Sequence, residues 1–197
     1  PPEQQRSAFN DYNTRLLAVQ ATLGVPPADR RILTQEQTKR MVQNITSDTP
    51  SQGDMAKNLN TLAQQYGSQW QQAFGELVQH GKLPPEYAVL ASMDHPSQGP
   101  AAADFQSALK LMHDKGGKQA MEHAAYLADP TAEQNLKIAL ASNMRDFHEA
   151  LRNSSGGLAL YGSTYESAHT LALYYMSQRG DGAAAAAKRA VTGIITN

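Results

Sequence analysis

Apolar residues recur every three or four positions along almost the whole chain, the spacing that lines one side of an α-helix. Phe9, Tyr12, Leu16, Val19 and Leu23 predict a helix from about residue 3 to 23, with this stripe facing a core. Gly24 suits the position after its end, and Pro26-Pro27 prevents continuation. Thr34 and Gln37 stand at capping-box spacing before a helix carrying Met41, Val42 and Ile45. Thr49-Pro50 marks the next start, with Met55, Leu59, Leu62 and Tyr66 as its stripe and Gly67 as its stop.

The pattern continues to the end of the chain. Ser68 opens a helix with Trp70, Phe74, Leu77 and Val78, closed by Gly81, and Leu83-Pro84-Pro85 precedes a short one with Tyr87, Val89, Leu90 and Met93. A loop over 94–100 leads to a helix with Phe105, Leu109 and Met112, ended by Gly116-Gly117. Met121, Ala125 and Leu127 belong to the next. Asp129-Pro130 reads as an N-cap with proline in the first turn, opening one long helix through Leu136, Leu140, Met144, Phe147 and Leu151 to Arg152. After a break at 153–157, helices are expected over about 163–179 and 182–195. No stretch alternates polar and apolar residues over the length of a strand. The expectation is an all-α protein of about nine or ten short to medium helices, mostly antiparallel neighbours. It is read as one domain over 1–197, and a division into two lobes would fall near 94–100 or 153–157. Pro1-Pro2 at one end and an apolar helix at the other give it the look of a fragment of a longer chain.

Composition narrows the function classes. Hydrophobic residues make up 41% of the chain, enough for a core, and the formal net charge is −1. A nucleic-acid-binding domain ordinarily carries a basic excess, because phosphate contacts dominate its affinity, and this chain has none. The pairs Arg30-Arg31, Lys39-Arg40 and Lys188-Arg189 read as solvated faces. Without cysteine there are no disulfides, thiolate metal sites or thiol nucleophiles. No apolar run reaches the roughly 18–20 residues that span a bilayer.

Candidate chemistry is sparse. His148-Glu149 is followed by Arg152 where a helical zinc protease needs its second histidine. Asp94, His95 and Ser97 are close in sequence, but triad members must converge in space. Gly116-Gly117-Lys118 lacks the framing of a phosphate-binding loop. No metal or cofactor is implied. Arg179-Gly180-Asp181 spells the tripeptide read by adhesion receptors, yet Gly180 also suits a helix end and Asp181 the next N-cap. Glu166-Ser167 resembles the Glu-Ser pair of lytic transglycosylases, in which a buried Glu serves as acid and base. The Gly-Leu-Met-Gln segment that supports the site in that family is missing here, so no catalytic residue is assigned and Glu166 stays a candidate only. Its plainer role is a first-turn acid after Ser163 or Thr164 as cap.

The stretch "SSGGLALYGSTYESAHTLALYYMSQRGDGAAAAAKRAVTGIITN" resembles helical segments of large bacteriophage and prophage virion proteins, the internal, ejection and tape-measure-like proteins that carry a transglycosylase module elsewhere. It shares their Gly-Ser-Thr-rich breaks, a helix ending in Gly-Asp-Gly, and a following Ala-rich helix. The resemblance spans about a quarter of the chain and carries over no functional residue. It implies a non-catalytic structural part that aids genome delivery. Its partners would be other virion proteins or other regions of a parent chain, and its place the virion or the bacterial host cytoplasm. Two alternatives stay open: an accessory helical domain of a peptidoglycan-lytic transglycosylase, and a free-standing bacterial interaction protein.

Overall fold

The computed structural model describes residues 1–46, 55–93, 98–127 and 129–195, with side chains from residue 59 onward in the second of these segments. It is all-α, and no strand occurs among the described residues. Asp94, His95 and Ser97, and the helix start expected at Thr49-Pro50, lie outside the described residues. The chain divides into two compact units, residues 1–48 with 58–84 and residues 49–57 with 85–197. Both positions considered for a break, 94–100 and 153–157, lie inside the second unit.

The first unit contains α1 (Pro2–Thr22), α2 (Gln35–Thr46), most of α3 (Met55–Tyr66) and α4 (Trp70–Gln79), with single 3-10 turns at Pro27–Asp29 and Gly67–Gln69. Local chemistry sets the boundaries. Gly24 adopts φ +79°, and the amides of Gly24 and Val25 donate back to the carbonyls of Ala21 and Gln20, closing α1 with a Schellman motif. The capping box forms: the Gln37 amide donates to Thr34 Oγ1 at 3.0 Å, and the Thr34 amide donates to Gln37 Oε1 at 2.9 Å. Ile32, Leu33, Ile45, Leu59, Tyr66, Ala73, Leu77 and Leu83 are buried.

The second unit is built around α10 (Gly157–Arg179), which touches α5 (Tyr87–Ala91), α6 (Gly99–His113), α7 (Gly117–Tyr126), α8 (Ala132–Asn143), α9 (Arg145–Leu151) and α11 (Ala183–Ile194). Thr170, Leu171, Ala172 and Leu173 are all buried. Four consecutive residues cover every side of a helix, so α10 is encircled there. Full burial of a leucine such as Leu171 is worth about 1.5–3 kcal/mol. Small residues let α11 approach closely: Ala186, Ala187 and Ala190 are fully buried, and a Cβ placed on Gly193 would lie 2.5 Å from Ala101 Cβ of α6.

Three expectations are corrected. The helix expected from Pro130 to Arg152 is two, broken at the buried Met144 between α8 and α9. The Asp129 carboxylate accepts from the Thr131 amide and hydroxyl, and α8 starts two residues later than expected, at Ala132. Helix α10 begins at Gly157 rather than 163, after Gly156 at φ +74°. Ser163 and Thr164 are therefore not caps; their hydroxyls donate to the Ala159 and Leu160 carbonyls one turn back.

Candidate functional site

Helix α1 is packed the unexpected way round. Of its stripe, Tyr12 is 63% exposed, Val19 55% and Leu23 75%, whereas Asn13 is its one buried residue. At about 100° per residue, Asn13 and Gln20 share a face beside the stripe, and the inward side of α1 is centred on them rather than on the stripe. Hydrogen bonds explain the choice. Gln20 accepts the Arg31 amide and donates to the Arg31 carbonyl, both at 2.7 Å. Gln69 donates to the Asn10 carbonyl at 2.9 Å and to the Thr14 hydroxyl at 2.8 Å. Phe9 adds an edge-on contact with Tyr66, ring centroids 5.1 Å apart. The match is imperfect, since Asn10 Oδ1, Asn13 Nδ2 and Gln69 Oε1 are buried without a hydrogen-bond partner among the described residues. Half-buried Phe9, Leu16 and Leu17 lie on the same inward side, so α1 rests on a mixed face that leaves Tyr12, Val19 and Leu23 in water, and exposed apolar patches mark interaction surfaces.

The first unit also holds a buried carboxylate. Glu76 of α4, 3% exposed, accepts the Ile32 amide at 2.9 Å, the Leu33 amide at 3.1 Å and the Gln72 side chain at 3.0 Å. Arg31 Nε stands 3.5 Å from Glu76 Oε1, and Arg31 Nη2 donates to Thr38 Oγ1 at 2.9 Å. Arg31 was expected on a solvated face; it lies instead between α1 and α2, half-buried against this carboxylate. The arrangement pins that connector to α4. A hollow of about 450 Å³ beside it is lined by Arg31, Thr38, Lys39, Val42, His80 and Gly81, among others.

In the second unit the candidate Glu166 sits in the middle of α10, exposed, not in its first turn. It faces the half-buried His169, whose pKa is lowered by burial against the opposing pull of Glu166 and Glu122. Burial, with Glu133 and Glu122 nearby, pushes the Tyr126 hydroxyl up to about 12. Glu166 lacks the buried setting a glycosidic acid needs. Among the described residues no three metal-ligating side chains converge, and no helix is long and apolar enough to cross a membrane.

The Arg-Gly-Asp tripeptide is engaged at both ends. Arg179 grips Asp104 with two nitrogens, at 3.1 and 2.5 Å. Asp181, expected as an N-cap, instead pairs with Arg189 at 3.4 Å, and Gly182 occupies the cap position of α11. Arg189 also lies over the Tyr175 ring, 4.2 Å from its centroid. Comparison with known protein families, curated proteins and solved structures finds no match.

Proposed function

We propose that this chain is a non-catalytic helical assembly domain of a phage or prophage virion protein, contributing to genome delivery through contacts with other virion proteins or with the rest of a parent chain. The observation that supports this reading is the exposed apolar strip of α1: Tyr12, Val19 and Leu23 stand in water while a neighbouring side of the helix is tied down through Gln20 and the Asn10 carbonyl. Burying large apolar side chains drives association, so a helix arranged in this way favours a partner. The resemblance of the last part of the chain to virion proteins supplies the class of assembly.

The test is incorporation. An antibody raised against the chain should detect it in particles purified by density gradient from cells that carry the gene, and a Val19→Lys chain should be incorporated less. Absence from the particles overturns the reading. If the chain were absent from particles but co-sedimented with purified sacculi above a control protein, the accessory-domain alternative would replace it.

A further inference from the structure

We infer that the occupant of the α1 strip is α1 of a second copy of this chain, packed antiparallel about a two-fold axis. This rests on the assembly reading and names its first partner. The strip steps by 4, 3 and 4 from Tyr12 through Leu16 and Val19 to Leu23, the residue that closes the last turn of α1, and this alternation lets two helices pack side by side. An antiparallel partner can be set so that Tyr12 lies opposite Leu23 of the partner subunit and Leu16 opposite Val19 of the partner subunit. Two-fold symmetry repeats both contacts, giving four apolar layers from one strip. The pattern is self-complementary, as a closed two-fold interface requires.

Charge agrees with this register. It places the exposed Arg15 beside the last turn of the partner's α1. That turn carries the negative end of the helix dipole, and α1 has no basic residue of its own there. No like charges oppose each other along the seam. Area agrees as well. Tyr12, Val19 and Leu23 expose roughly 300–400 Å² per copy, the size of a functional patch on a monomer. Over both copies the three side chains account for roughly 600–800 Å², and half-buried Leu16 with the flanking residues carries the pair toward about 1,000 Å², the bottom of the range for a specific interface. The dimer is therefore reversible.

Sedimentation equilibrium of the 197-residue chain, at concentrations on the order of 10–500 µM, tests this. The average mass should rise from one chain toward two. Val19→Lys should keep it at one chain with the helical circular dichroism unchanged, because Val19 stands mostly in water at 55% exposure. The chain has no cysteine, so the register can also be read directly. Oxidising a mixture of Tyr12→Cys and Leu23→Cys chains should cross-link the two kinds to each other more than either to itself. A chain that stays monomeric throughout, or a Val19→Lys chain that dimerises as well as the parent, overturns the proposal. Cross-linking without preference overturns the antiparallel register. A monomeric chain whose incorporation into particles still depends on Val19 leaves the assembly reading standing, with a different protein on the strip.

Discussion

Asp104 of α6 and Arg179 at the end of α10 form a two-pronged ion pair, with the Tyr175 hydroxyl donating to the same carboxylate at 2.9 Å. The carboxylate thus ties two helices whose residues are 75 positions apart. Burial first, and Asp104 next, raise the Tyr175 pKa, so the phenol stays a donor across the working range.

Asp104→Asn should weaken the second unit by about 1–3 kcal/mol, because it leaves a buried phenol and a guanidinium with a poorer acceptor. Arg179→Ala should cost less, about 1 kcal/mol, since its side chain is 38% exposed and solvent screens the pair. Urea unfolding followed by circular dichroism checks both. The same contacts predict that an Arg-Gly-Asp peptide does not compete with any surface binding by the folded chain.

Glu76→Gln should destabilise the first unit by about 2–4 kcal/mol, since it leaves Arg31 half-buried without its counter-charge. The chain has a single tryptophan, Trp70, at the start of α4. Its fluorescence therefore reports on the first unit, and the urea midpoint it gives should fall.

Gly193→Ala should cost about 1–3 kcal/mol by overpacking. The added methyl would meet Ala101 Cβ at 2.5 Å, so α11 has to withdraw from α6. Ala101→Gly in the same chain should recover part of the loss, which thermal unfolding of the single and double variants would show.

His169 predicts a pH dependence. Its folded-state pKa is depressed, mainly by burial, so the unfolded chain binds the proton more readily. Stability should therefore fall as pH drops below 7 through the unfolded value near 6.5, and level off below the folded value. His169→Gln should flatten this part of the profile. Imidazole proton shifts should titrate below 6.5 for this residue; a value above it would overturn the assignment.

Fold class was legible because helix periodicity, glycine stops and the Thr34–Gln37 box are local signals, and the structure keeps them. What the sequence hid was decided by contacts far apart. Nothing near Glu76 announces that it will accept the amides of Ile32 and Leu33, more than 40 residues away. The orientation of α1 turned on Gln20 and Gln69 finding backbone partners, which a stripe of apolar residues does not foretell. The break at Met144 lies inside an unbroken apolar pattern. Glu166 lost its expected place in a first turn because Gly157 and Leu158 extend α10 backward. The candidate surface is visible in the sequence as a stripe, but its pattern alone does not tell a core face from an exposed one.

The encircled α10 also has a consequence for synthesis. Helices α5 to α9 leave the ribosome before the post they pack around exists. At about 5–20 residues per second, their apolar sides wait from about one second for α9 to nearly twenty for α5 before α10 is complete. The second unit is thus most prone to aggregation during translation rather than after release. Slowing elongation between α9 and α10 should lower the yield of folded protein, whereas the same pause after α11 should not.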